Sequence, residues 1–464
     1  MGVLISIFYI LVSYLSPPVV FGSLVEFHIE AILGLALFFV SLGPLAKSFL
    51  WKTPQTMALA GLSFAVFMSI LLKGWGIGAV WHAWGFFSLS YSYFLVCLHL
   101  NTKRKLQFLV AVLLFACVYV EMRGIWELLY PLPASDALQS FRVELNSGLT
   151  ILLTSYWMNF SDFSGAPTIP RLRGQGFIND PNDYAQLLLC TLPLLFIFWK
   201  KKNIVGNFLM VVLPICALCW GIYETHSRGA IVATAAMIIV AARRRIGVIP
   251  SIVLGGLLFV GARAMDFGAG RDISVQGGAD RTILWGEGLQ LLKSHPIFGV
   301  GFGEMANQAG MTMTAHNSIV VCGAELGMVG LYFWSFFLFP TLKDAYTVSS
   351  PEKVIEPTIQ VAEDLPSPMG EPHKVDKEEI NGLGKLVFLS FVGFFVSGMF
   401  LSRAFTITLF LLGGMAESVY QMALNRGMVG PRMEFGKVAR YAVPFSLALV
   451  VGMYAAVLIL GRLH

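Results

Sequence analysis

Charge is what this chain has little of. Of its 464 residues only 13% are charged, where an ordinary soluble domain has about 25%. With 56% hydrophobic residues and a mean hydropathy of +0.72, that scarcity excludes a soluble globular enzyme and a disordered chain. Cysteine is scarce as well. The six present (Cys97, Cys117, Cys190, Cys216, Cys219 and Cys322) all lie in apolar runs, so no disulfide framework is expected. Cys216 and Cys219 form a CxxC, but no second Cys pair and no His stands near. Packing within a span is the reading that follows. The first residues lack a basic n-region and a small-residue cleavage site, so no cleavable signal peptide is expected.

What is present is a series of long apolar runs. A membrane-spanning helix needs about 20 mostly apolar residues. Thirteen candidates occur, at roughly 3–22, 29–45, 57–72, 80–100, 106–121, 184–199, 204–222, 229–242, 248–264, 316–340, 385–402, 404–422 and 441–461. The first contains Ser16-Pro17-Pro18, which can break it. The fold expected is an all-α polytopic membrane protein with 12 or 13 spans, one integral membrane domain over 1–464. The net charge of +5 is explained by orientation rather than nucleic-acid binding. With the N-terminus inside, the inside loops at 47–52, 103–105, 200–202, 243–245 and 426–440 hold fifteen Lys and Arg, against Lys73, Arg228 and Arg403 in short outside loops. Longer loops at 122–183 and 265–315 then fall outside. The loop at 342–384 falls inside and, with five prolines and more acids than bases, reads as a flexible linker.

Four polar motifs fall on the outer side. The first, Arg171-Leu-Arg173-Gly-Gln-Gly-Phe-Ile-Asn179-Asp180-Pro-Asn182-Asp183, leads into a span. Asp180, Asn182 or Asp183 can cap that helix, but capping leaves Arg171 and Arg173 unexplained. The second, Thr225-His226-Ser227-Arg228-Gly229, joins two spans, and Arg228 either snorkels to headgroups or binds an anion. The third starts at Asp280-Arg281 and runs through Trp285 to Lys293, with apolar residues at helical spacing. It reads as an amphipathic helix in the outer interface. Arg281 at its start would oppose the helix dipole, which disfavours a purely structural role. The fourth is His316-Asn317, then nine residues, then Gly327-Met-Val-Gly330. On a straight helix Gly323 and Gly327 fall within about 20° of His316, and Gly330 within about 40°. That stripe would turn His316 into the bundle and let another helix approach closely. Glu325, on the opposite face, reads as a buried hydrogen-bonding group before a functional one.

These residue types suit one chemistry. Arginines converging on one site bind phosphate bidentately, and a neutral histidine removes a proton from a hydroxyl near pH 7. No pair of acids has the DxD spacing of a metal site near these motifs, so arginines would stabilise the charge of a diphosphate leaving group.

In this combination the chain resembles the O-antigen ligase and polymerase superfamily. The resemblance rests on Arg-Gly-x-Gly-Phe-x-Asn-x-Pro-Asn at 173–182, Ser-Arg-Gly at 227–229 and Arg-x-x-Leu-Trp at 281–285. His-Pro-Ile-x-Gly-Val-Gly at 295–301 and His-Asn-x9-Gly-x-x-Gly at 316–330 complete it, within 170–335. Asp180 between Asn179 and Pro181 departs from the family pattern. The family implies a GT-C-type glycosyltransferase of the bacterial inner membrane with a periplasmic active site. It moves a glycan from undecaprenyl diphosphate to an acceptor hydroxyl, a lipid A core sugar for a ligase or another repeat unit for a polymerase. By carry-over His316 is the base. Arg173, Arg228 and Arg281 hold the diphosphate, with Arg171 competing for the first role. Asn317, Asn182, Gly327 and Gly330 are supporting residues. Metal independence, no cofactor and inversion at the anomeric carbon are family expectations. A transporter or flippase, which would place polar groups near the midplane, and a non-catalytic scaffold are the competing readings.

Overall fold

The computed structural model describes residues 2–17, 29–130, 143–144, 150–151, 156–159, 170–264, 275–308, 314–350 and 377–461. The chain is an all-α polytopic membrane protein. Every one of the thirteen apolar stretches coincides with a helix: α1 Gly2–Leu15, α2 Ile29–Ala46, α3 Pro54–Leu71, α4 Gly76–His99, α5 Lys103–Leu129, α6 Pro181–Leu194, α7 Ile204–Glu224, α8 Arg228–Ile246, α9 Val248–Ala264, and, after the loop helix α10 Val275–Ser294, α11 Ser318–Ser349, α12 Lys377–Gly398, α13 Ile407–Asn425 and α14 Phe435–Gly461. Among the described residues, seven (α3, α5, α7, α11, α12, α13, α14) are long and apolar enough to cross a membrane by themselves. Helices dominate because a backbone in lipid must satisfy its own hydrogen bonds.

Local sequence sets several helix starts. Thr53 and Pro54 open α3, with the Thr53 hydroxyl accepting from Thr56 N–H. Thr406 caps α13 and Asn317 caps α11 in the same way. Buried fractions then separate centre from periphery. The apolar windows of α13 and α11 are 89% and 78% buried, those of α7 and α14 only 22% and 11%. The first pair forms the middle of the bundle, and the second presents apolar surface outward, as lipid requires. Around α11 pack α3, α10, α12, α13 and α14.

Several sequence expectations are corrected. The first helix stops at Leu15, before the left-handed Ser16, so it is shorter than 3–22. Helix α11 reaches Ser349 and α12 starts at Lys377, so helix covers eight residues at each end of 342–384; residues 351–376 lie outside the described residues. The 122–183 loop starts after Leu129 and carries two short antiparallel pairs, Val143–Glu144 with Thr150–Ile151 and Trp157–Asn159 with Pro170–Leu172. Cys216 and Cys219 are exposed on α7 rather than packed inside. The six cysteines are free thiols.

Candidate functional site

The second strand pair seats the first arginines. Trp157 Nε1 donates to the Gly124 carbonyl at 2.9 Å, and Glu127 accepts the Tyr156 N–H at 2.8 Å, so the pair sits on the end of α5. Register places Met158 opposite Arg171 and Trp157 opposite Leu172. Arg173 N–H continues the ladder to the Tyr156 carbonyl at 2.9 Å. Arg171 and Arg173 differ in their contacts. Arg171, 3% exposed, donates from Nε to the Thr225 carbonyl at 2.7 Å and from Nη2 to Asn182 Oδ1 at 3.1 Å. It is a strut that ties the head of α6 to the turn before α8. Arg173, 8% exposed, reaches the Asn179 carbonyl at 3.5 Å. Burial draws its guanidinium below the usual range, with Glu127 and Asp180 opposing.

The capping reading of Asp180 holds. Its Oδ1 accepts the Asn182 N–H at 2.7 Å, and Pro181 follows as the first helical residue. Asp183 has another task. Its carboxylate, 8% exposed, takes Arg403 Nε and Nη2, both at 2.6 Å. Arg403 and its neighbour Ser402, in the α12–α13 turn, were not singled out from the sequence as site residues. The signal was a Ser-Arg pair in a short interhelical turn, the same pair that Ser227-Arg228 makes.

His316 precedes its helix rather than starting it. Asn317 is the cap residue, its Oδ1 accepting the N–H groups of Ile319 and Val320. His316 is left-handed, with φ of +48°, a conformation unusual outside glycine. The surroundings hold it there. Its N–H donates to Ser402 Oγ at 2.8 Å, and Thr314 Oγ1 bonds the same hydroxyl. Ser318 Oγ donates to the Leu401 carbonyl at 2.9 Å and Asn317 Nδ2 to the Met399 carbonyl at 3.1 Å. Trp285 Nε1 donates to the Ala315 carbonyl at 2.9 Å, so the Arg-x-x-Leu-Trp motif grips the residue before His316. Arg281 lies one turn earlier on α10. Since α10 starts at Val275, Arg281 sits in its second turn, not at its start, and the dipole argument does not apply. Helix α10 buries Trp285, Leu289 and Leu292, and packs along α11 and α14.

The glycine stripe is also corrected. Helix α11 is broken at Gly327, with φ of +64° and ψ of −163°, so no straight stripe runs from 316 to 330. Into the break goes the loop 295–303. Val300 and Gly301 donate to the carbonyls of Ala324 and Glu325 at 2.8 and 3.0 Å, and Met328 and Val329 donate to those of Pro296 and Ile297 at 2.8 and 3.2 Å. A side chain on Gly327 would run into the Ile297 backbone, and one on Gly299 into that of Glu325. The close approach is therefore made by a loop. A side chain on Gly323 would meet Leu292 of α10, and one on Gly330 would run first into Leu326 of its own helix. Glu325 is buried, with the N–H groups of Gly303 and Met305 facing its carboxylate, a structural role.

These elements bring Arg173, Arg228, Arg281 and His316 to one end of the bundle. Burial, then Arg281, lowers the proton affinity of His316 below the usual imidazole range, and Asp180 opposes. Burial, then Arg228, lowers that of Arg281, again opposed by Asp180. A guanidinium stays charged regardless, so two like charges act on one another in a partly desolvated place. Among the described residues no carboxylate stands within ion-pairing distance of Arg281, and the His316 ring has no hydrogen-bond partner. Among the described residues no three His, Cys, Asp or Glu side chains cluster as metal ligands would. Such a site can attract a multiply charged anion and accept a proton beside it.

The protein is thus a helical membrane bundle with guanidinium groups and His316 gathered at one end. Residues 184–335, about a third of the chain, match the O-antigen ligase family. The match supports membership of the O-antigen ligase superfamily, and with it a function of the O-antigen ligase or polymerase type and a glycosyltransferase-like activity at a membrane. Of the site, Arg228, Arg281 and His316 fall inside the matched residues, while Arg171 and Arg173 precede them. A search of curated proteins gave no match.

Proposed function

We propose that the chain is an O-antigen ligase-like glycosyltransferase of the GT-C type. It transfers a glycan from undecaprenyl diphosphate to an acceptor hydroxyl, a lipid A core sugar. The site faces the periplasm of a bacterial inner membrane. The observation that carries this reading is the gathering of Arg228, Arg281 and His316 from three separate stretches of sequence, close enough for the charge of Arg228 to act on Arg281 and that of Arg281 on His316. Grouped guanidiniums are costly to hold together without an anion. The basic loops support this orientation: Lys103 and Lys201 pair with Glu379 and Glu378 at the start of α12, at the end of the bundle away from His316.

The chemistry balances without a metal. The imidazole of His316 takes the proton of the acceptor hydroxyl. The oxygen attacks the anomeric carbon from the side opposite the diphosphate, which inverts it. The bond from that carbon to the diphosphate oxygen breaks, and its electron pair leaves with undecaprenyl diphosphate. Arg281 and Arg228, with Arg173, stabilise the charge that develops there. Arg171 positions the α6 head, and Asn182 and Asn317 hold the local backbone.

The test is a gel of surface glycans from a deletion strain, complemented with the wild type or with His316→Ala. Full-length chains stranded on the carrier with bare acceptor mean a ligase. Acceptor carrying a single repeat unit means a polymerase. An unchanged ladder in the deletion strain overturns the reading.

A further inference from the structure

One short turn touches three of the stretches that carry the site. Helix α12 ends at Gly398, and α13 starts at Ile407. The turn between them is wound back on α12: the N–H groups of Met399, Phe400 and Leu401 return to the carbonyls of Val396, Ser397 and Gly398. On one side it holds the head of α11. Ser402 Oγ accepts the His316 N–H at 2.8 Å and also the Thr314 hydroxyl, which occupies both lone pairs of a serine oxygen. On another side it holds the head of α6. Nε and Nη2 of Arg403 both lie 2.6 Å from Oδ2 of Asp183, in the first turn of that helix. On a third side it meets the head of α8. Phe400 covers Gly229, the residue after Arg228, and a side chain on Gly229 would stand 3.0 Å from the Phe400 Cβ.

We propose that Ser402 is a positioning residue of the transfer reaction, and that the turn around it is the frame that registers His316 against the heads of α6 and α8. The inference rests on the transferase reading above. Its physical content is geometric. A left-handed backbone, here φ of +48°, costs an L residue energy, so His316 keeps it only while its surroundings hold it. The direction of the imidazole is set by that backbone. Among the described residues, Ser402 is the one side chain that bonds the His316 backbone. Arg403, its neighbour, fixes the same turn to the helix whose head Arg171 braces through Asn182. A general base works only at hydrogen-bond reach of the hydroxyl it deprotonates, and a displacement of an ångström is costly. Without the Ser402 hydroxyl the base keeps its charge environment and loses its fixed direction.

The experiment uses the purified full-length protein in lipid, with an undecaprenyl-diphosphate glycan as donor and a lipid A core acceptor. Ser402→Ala is expected to lower kcat about tenfold, the weight of one ordinary hydrogen bond lost from the alignment of the base. KM for the donor should stay, because the arginines are untouched, and the acid limb of the pH profile should stay, because no charge has changed. Ser402→Thr keeps the hydroxyl and is expected to restore kcat. Should Ser402→Ala fail to fold, the double variant Asp183→Asn/Arg403→Gln loosens the frame from the α6 side without leaving a lone buried charge, and a similar loss of kcat is expected. Wild-type kcat in the folded variant overturns the inference, as does a Ser402→Thr protein as slow as Ser402→Ala. Absence of transfer by the wild type overturns the transferase reading instead.

Discussion

Two ends of the bundle each bury an arginine, and they treat it in opposite ways. Arg432, between α13 and α14, has Asp344 Oδ2 at 3.1 Å from Nε and Glu417 Oε2 at 2.5 Å from Nη2. Its guanidinium lies over the Tyr420 ring, 4.5 Å from the centroid. Gln55 completes the set by donating to Asp344 at 3.0 Å. Burial alone would disfavour the charge, but Glu417 and Asp344 more than offset it and raise its proton affinity. At the other end Arg281 faces Arg228, and its proton affinity is drawn down. A buried arginine is therefore not in itself a functional signal. The difference is completion. Arg432 is matched by carboxylates of its own chain, and Arg281 has no such partner among the described residues.

The contrast can be broken most sharply at His316. His316→Ala should lower transfer by about 10²–10⁴-fold, the range of a lost general base, without moving the thermal midpoint, since the ring makes no hydrogen bond among the described residues. A radiolabelled donor assay beside an unfolding scan reads both. Arg432→Ala should do the reverse and destabilise by about 3–5 kcal/mol, because it leaves Glu417 and Asp344 buried without their cation. Detergent-solubilised protein followed by fluorescence would show the midpoint fall, while Arg281→Ala in the same assay should not. Arg281→Lys should still cost about 10²-fold in turnover, since an ammonium offers no planar fork to a phosphate. Unchanged kinetics would remove Arg281 from the diphosphate. Gly327→Ala should destabilise by about 1–3 kcal/mol, a left-handed position and the Ile297 backbone both opposing a side chain.

The smallest effect expected is on pH. Burial and Arg281 hold the imidazole of His316 neutral below its usual 6.5, so the acid limb of the rate profile should lie below that value. The sign is fixed by linkage. The fold disfavours protonated His316, so the stability tied to it is present above pH 6.5 and is lost as pH falls through the depressed value. Arg281→Gln removes the neighbouring cation and should move the limb upward. A limb that stays in place would separate the two groups.

The helices were legible because lipid leaves few choices: each apolar run of sufficient length became a helix, down to α6 and α8. The site motifs were legible as residue types. Their division of labour was not. Arg171 and Arg173 are two apart and chemically alike, and only the Thr225 carbonyl, 54 residues away, makes one of them a strut. Ser402 was invisible for the same reason, since its partners at 314 and 316 come from a distant turn. The glycines misled because a 3.6-residue period assumes an unbroken helix. Gly327 ends that assumption, and the loop that fills the break lies before the helix in sequence and gives no local sign of its destination.

That break also orders the birth of the molecule. The loop 295–303 leaves the ribosome before residues 324–329, yet its N–H and C=O groups pair with theirs. In hydrocarbon each such group left unpaired costs several kcal/mol. The pairing of the loop is therefore complete only once α11 stands beside it. Ala315, gripped by Trp285 of the helix that leads into this loop, settles with it. The backbone around His316 is thus complete only when stretches of chain from 285 to 402 are in place together.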